Sequence, residues 1–505
     1  MAQQHRAILI AIIFLSFYAT LGYYPLFNLD EGAFSEATRE MLSSHNFITT
    51  YLNGELRFDK PILIYWLQAM SASLFGLNEF AMRLPSAVAA TLWAWLMYIF
   101  TKKNFDEKIA FLATLFMAGS LQISIIAKAA IADALLNMFI ALSMLSFYTY
   151  YQRKKKKYLY ITFAAIGLGT LTKGPVAILI PLVVTFLFLI KNLRFWFISV
   201  FNPVGIAIFL LIAMPWYVVE YIDQGEKFIQ GFLLKHNISR FASKGMEGHS
   251  GPIYYYIIVL LIGLIPFTSI FLKTLTFIKE WFDTPLKRYL ALWFCFVFIF
   301  FSFSHTKLPH YVVYGYTPLF ILMALYFHTI RSKILLHLPY FLFHLLFFIL
   351  PFFQGMILAS IKPQSYEYFI VQGLHFGWIY KVYFALALLL FFWLIKMTKE
   401  KGIIIASIIT LISLNLFIAK VYADAAEAPI KEAALYAKKH KLKIIKMYGI
   451  NTPSFSFYLH QITPKTKPQP GDIVFTKRSQ LKNLDNFAIL FQKNGVALIQ
   501  LKDKK

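Results

Sequence analysis

At 505 residues, 59% of them hydrophobic and only 14% charged, the chain is too apolar for a water-soluble protein, and apolar runs long enough to cross a bilayer recur along most of it. A formal net charge of +25 would raise nucleic acid as a partner of a soluble protein. Here the lysines gather in short loops between apolar runs, as the positive-inside rule expects. The single cysteine, Cys295, lies within an apolar run and excludes an intramolecular disulfide.

The first apolar run, near 6–27, follows His5 and Arg6. It has no small-residue cleavage site before Tyr23, Tyr24 and Pro25, so it reads as a retained span rather than a removed signal peptide. Further apolar segments fall near 80–101, 109–126, 131–151, 158–172, 174–190, 197–220, 252–272, 287–304, 309–329, 336–358, 377–397 and 402–421. Together they make about thirteen spans. With the N-terminus in the cytoplasm, the densely basic loops at 102–108, 153–157, 191–194, 279–288, 331–333 and 396–401 all land inside. The 28–79 segment, the 221–251 loop, the HTKLPH turn and the 359–376 loop then lie outside.

Between the first two spans, NLDEGAFSEATREML opens the longest polar interruption of the N-terminal half. Phe34, Ala37, Thr38, Met41 and Leu42 recur at helical spacing, with Glu36, Arg39, Glu40 and Ser43 opposite, which predicts an amphipathic helix at the outer membrane interface. A second such helix starts at Pro61 and presents Ile62, Tyr65, Trp66 and Ala69 along one side. The two place periplasmic amphipathic helices at about 33–76. After residue 422 the composition changes. A helix and then short strands near 472–475, 487–491 and 495–500 predict a small α/β domain over 423–505, outside the cytoplasm because the span count is odd.

Most of the notable polar residues fall on the outer side, where one shared cavity would account for them. Asp30 and Glu31 leave the membrane together, and either could be a general base or a helix N-cap. Asp59 and Lys60 precede the proline-started helix, where Lys60 reaches a phosphate or forms a solvated surface pair with its neighbour. Lys128 and Asp133 share a short turn and pair with each other, or Asp133 orients substrate or a metal. Lys173 either joins the cavity or snorkels at a helix end. In the 221–251 loop, Arg240 offers a planar fork for phosphate, and His236 and His249 could join Asp59 on a divalent metal such as zinc, although no compact ligand spacing supports it. Lys307 and Tyr311, in TKLPHYVVYGYTP, complete a possible anion clamp or belong to an aromatic belt.

In order along the chain, DEGAFSEATREML, LNGELRFDKPILIYWL, NEFAMRLPSAVAA, GLGTLTKGPVAILIP, MPWY, KHNISRF, GHSGPIYYY and TKLPHYVVYGYTP closely resemble bacterial glycosyltransferases of the protein-mannosyltransferase superfamily. Within it, the likeness is to the branch of the lipid A 4-amino-4-deoxy-L-arabinose transferases. The resemblance implies an all-α polytopic GT-C membrane fold, with a cavity facing the periplasm of a bacterial inner membrane and a small C-terminal α/β domain. It implies a sugar donor on polyprenyl (undecaprenyl) phosphate, an inverting transfer to lipid A or another envelope glycan, and no required cofactor. Asp30 matches the family's catalytic acid and Asp133 a second important aspartate. Lys60 and Arg240 match contacts to the lipid phosphate, with Lys173, Lys307 and Tyr311 as helpers. Relatives usually carry glutamate where this chain has Asp59, which weakens a metal contact there. Two other readings fit the same residues: a protein O-mannosyltransferase acting on Ser/Thr, and a transporter or flippase for an anionic lipid.

Overall fold

The computed structural model describes residues 2–238 and 251–502. Each apolar segment read from the sequence contains helix, the first only as far as Tyr18. Among the described residues seven helices are long and apolar enough to cross a membrane, from Glu79–Asn104 to Lys399–Ala426. Shorter apolar helices at Val176–Phe188 and Trp378–Leu394 add to them. One predicted span is broken: Glu107–Gly119 and Leu121–Lys128 meet at 67°. Ser120, extended at ψ 145°, ends the first piece, so the second leaves at an angle and carries Lys128 to Asn415 and Ser124. With no water in the bilayer core, only such internally hydrogen-bonded helices are viable there. Their association rests on side-chain packing, here Trp93, Trp293, Tyr289 and Tyr316, all fully buried.

Outside the spans, the Asp30–Ser44 helix is followed by a hairpin of β1 (Tyr51–Leu52) and β2 (Glu55–Leu56), then by the Leu63–Phe75 helix. The hairpin turns on Asn53 and Gly54, both at positive φ, the geometry that Asn-Gly adopts at least cost. The expected amphipathic helix differs from its prediction in one respect. On its polar face Glu36, Arg39 and Glu40 are as buried as the apolar face, and only Ser43 of the four stays exposed, because the C-terminal domain packs on the helix. Burial is tolerable because each charge is answered. Arg39 donates to both Glu36 oxygens at 2.7 and 2.8 Å, and Glu40 accepts from the Asn53 and Gly54 N–H groups.

That C-terminal domain begins after a span that runs on to Ala426, four residues past the predicted boundary, where Glu427 ends the helix. The Ala428–Lys439 helix, β3 (Ile445–Tyr448), the Pro453–Leu459 helix, β4 (Ile473–Lys477), β5 (Phe487–Lys493) and β6 (Val496–Leu501) follow. The sheet order is β3-β4-β6-β5, with β3 and β4 parallel and the other pairs antiparallel. A parallel pair needs a crossover, and the Pro453–Leu459 helix supplies it while packing on the Asp30–Ser44 helix. Gly32 permits that approach, since a Cβ there would lie 2.8 Å from the Ser454 nitrogen.

Candidate active site

The helix that begins at Asp30 is held by the residue beside it. Arg83 donates to both oxygens of Glu31, at 2.7 and 2.9 Å, and to the carbonyls of Leu21, Tyr24 and Pro25. Glu31 also accepts from the N–H groups of Phe27 and Ala130, both at 2.8 Å. A carboxylate 4% exposed and bonded on all sides has no lone pair left for a substrate, so Glu31 ties the first two spans to the helix. It does not reach the cavity, contrary to its place among the expected catalytic acids. Asp30 is different. The helix is capped by Leu29 with no side-chain bond, so the N-cap alternative does not hold. Among the described residues no hydrogen bond or ion pair engages the Asp30 carboxylate, which is exposed and lines a cavity of ≈ 550 Å³. That volume lies in the range of small-molecule sites.

The opposite wall comes from the segment after the hairpin. Arg57 reaches the Tyr65 hydroxyl at 3.2 Å and Asp59 at 3.3 Å, and its guanidinium lies 5.5 Å from the centre of the Phe34 ring. Its charge is close enough to act on Asp30. Lys60 donates to Asp59 at 3.0 Å and also lines the cavity. Asp59 is thus flanked by two cations. The side chain of His236 and all of Arg240 and His249 lie outside the described residues. Among those described, no group of three His, Cys, Asp or Glu side chains gathers.

From the spans come Asp133, Lys173, His310 and Tyr311, all in the lining. Asp133 opens its helix and accepts from Lys173 at 2.6 Å and from the Tyr314 hydroxyl at 3.1 Å, with His310 Nε2 3.8 Å away. The expected Lys128–Asp133 pair is absent. The bent helix carries Lys128 to Asn415 and Ser124 instead, and Lys173 is held by the acid rather than snorkelling. Lys60 is near enough for its charge to act on Asp133. Lys307, expected in the anion clamp, lies behind the wall made by Thr306 and Leu308. Its ammonium donates to the Ser304 carbonyl at 2.8 Å.

Among the described residues the cavity therefore collects two open carboxylates, Asp30 and Glu55, and several cations from segments far apart in sequence. Comparison with known proteins gives the family and the fold. The family model described as dolichyl-phosphate-mannose-protein mannosyltransferase matches residues 59–218, and a protein of Aquifex aeolicus is 33% identical over 60% of this chain and 68% of its own. The chain belongs to this family. The undecaprenyl phosphate-alpha-4-amino-4-deoxy-L-arabinose arabinosyl transferase of Wigglesworthia glossinidia brevipalpis is similar at 35% identity over 63% of this chain. The chain spans 57% of the length of that relative. The crystal structure of ArnT from Cupriavidus metallidurans bound to undecaprenyl phosphate superposes over 100% of both chains with a TM-score of 0.80 at 18% identity, and so shows a shared GT-C fold.

Family membership does not single out Arg57, Tyr314 or Lys465, which the sequence reading left without a role. Arg57 carried a weak signal, a cation three positions before Lys60. Lys465 had none, as one lysine among many in a polar tail.

Proposed function

We propose that the chain is an integral membrane glycosyltransferase. It moves a sugar from a polyprenyl phosphate, undecaprenyl phosphate in bacteria, to lipid A or another envelope glycan on the periplasmic side of the inner membrane. The observation that carries this reading is the Asp30 carboxylate, unengaged among the described residues, in one cavity with Lys60, Lys173 and Arg57. The names of the arabinosyl transferase relatives and the lipid in the ArnT crystal structure support the donor class.

Donor phosphate sits among Lys60, Lys173 and Tyr311, its polyprenyl tail running between the spans. The acceptor oxygen attacks the anomeric carbon from the face opposite the phosphate and forms the new glycosidic bond. The bond from that carbon to the phosphate oxygen breaks, with its electron pair leaving on the phosphate, so configuration inverts. Charge builds on the departing phosphate, where the preplaced ammonium groups stabilise it. Asp30 accepts the proton of a hydroxyl acceptor. An ionised phosphate acceptor brings no proton, and Asp30 then orients the sugar. Asp133 acts through Lys173, holding the ammonium in place.

This reading routes no step through a metal; the Asp59 carboxylate is engaged by Arg57 and Lys60. Mass spectrometry of envelope lipids and glycans from cells with and without the protein tests the assignment. Loss of a sugar from lipid A supports it, and loss from proteins instead transfers the activity to Ser/Thr hydroxyls. An unchanged profile of both, with lipid-linked sugar accumulating on one leaflet, points to a flippase and overturns the transferase.

A further inference from the structure

One wall of the cavity belongs to the C-terminal domain. Asn451, Pro453, Pro464, Lys465 and Thr466 line it together with Asp30 and Arg57. The loop that carries Lys465 is built into both domains. Met447 of β3 pairs with Lys465 as a parallel bridge, and its N–H donates to the Pro464 carbonyl at 2.9 Å. On the other side, the Ser456 hydroxyl bonds Thr463 and donates to Asn53 at 2.6 Å, in the turn that Glu40 clamps. The loop is therefore keyed to the hairpin that leads into Arg57 and Lys60.

The cavity's other ammonium groups stand beside acids, Lys60 at Asp59 and Lys173 at Asp133. Lys465 has no acid partner among the described residues, and burial first, then the like charge of Arg57, disfavours its charged form. Both cations line the cavity, and an anion that enters beside them is attracted by both charges. Lys465 also stands on the soluble domain, away from the spans where a polyprenyl tail would lie. It occupies the side from which a headgroup in the periplasm would arrive.

We propose that the C-terminal loop is the acceptor side of the cavity, and that Lys465 receives a phosphate of a phosphorylated glycolipid acceptor. This rests on the transferase reading above and names its acceptor chemistry. The test is native mass spectrometry of the full chain in detergent micelles, with three probes: undecaprenyl phosphate, bisphosphorylated lipid A, and the same lipid A stripped of its phosphates. Wild type should bind the first two and hold the third far more weakly.

Lys465→Ala should weaken bisphosphorylated lipid A by about tenfold, the size of one charge-assisted contact. It should leave undecaprenyl phosphate unchanged, and Lys465→Arg should restore the lipid A complex. Equal binding of lipid A by Lys465→Ala overturns the proposal. So does equal binding of the two lipid A forms by wild type, or a parallel loss of undecaprenyl phosphate, which would move Lys465 to the donor. A wild-type chain that binds undecaprenyl phosphate but neither lipid A form removes the acceptor class while leaving the transferase standing. Failure to bind undecaprenyl phosphate would instead contradict the transferase itself.

Discussion

Neighbouring acids in this chain have been given opposite work by what surrounds them. Glu31 is consumed by Arg83 and two backbone N–H groups, and Asp30 is left open one residue earlier. Removing one member of a buried pair strands the other, at about 3–5 kcal/mol. Glu31→Gln should therefore lower stability and expression, read by thermal unfolding in micelles, before it bears on chemistry. Lys173→Met should behave similarly by stranding Asp133, which is 3% exposed. The double variant Asp133→Asn/Lys173→Met should recover most of that loss, and a double variant no more stable than Lys173→Met would show that the pair is not coupled. Asp30, Lys60, Lys173 and Tyr311 were legible because each stands at the edge of an apolar run, where a charge is conspicuous. The Asp133–Lys173 partnership was not, since 40 positions separate them and the bend that removes Lys128 has no residue signature.

Among the elements, the Asp30–Ser44 helix was legible as amphipathic, but not its burial. The periodic pattern distinguishes two faces without saying what covers the polar one. A soluble domain more than 400 positions away does so, its Pro453–Leu459 helix packing on this one. Burial pushes the Glu36 carboxyl up to about 8 despite its bonds to Arg39. The contact between this helix and Pro453–Leu459 is close at Gly32, where a Cβ would lie 2.6 Å from Asn28 Oδ1 and 2.8 Å from the Ser454 nitrogen. Gly32→Ala should therefore push the two helices apart and cost about 1–3 kcal/mol. Limited proteolysis should then cleave the C-terminal domain faster than in wild type, and unchanged cleavage would mean the contact is not a clamp.

Across the whole molecule, the two domains share a cavity and are latched by several polar contacts. Glu427, where the last span ends, accepts from both the backbone and the side-chain nitrogen of Asn28. Burial raises its carboxyl from an ordinary 4.5 to about 7, against the pull of those bonds. A raised carboxyl means the folded state holds the proton more tightly than the unfolded chain. The protonated form's contribution to stability is thus complete below pH 4.5 and is lost as pH rises through about 7. Glu427→Gln should flatten that share of the decline in Tm between those limits, and a variant with the wild-type slope would remove Glu427 from the latch. At this scale the spans and the sheet strands were readable from hydrophobic runs and alternation. The docking of the C-terminal domain on the cavity was not, because it depends on single polar contacts such as Asn53 with Ser456.

The most direct measurement of the account as a whole is turnover and donor binding in Asp30→Asn, made side by side in the purified full chain. Loss of a positioned base predicts a fall of about 10²–10⁴-fold in sugar transfer to a hydroxyl acceptor, with undecaprenyl phosphate bound as in wild type. Undiminished transfer by the asparagine variant would contradict the central claim.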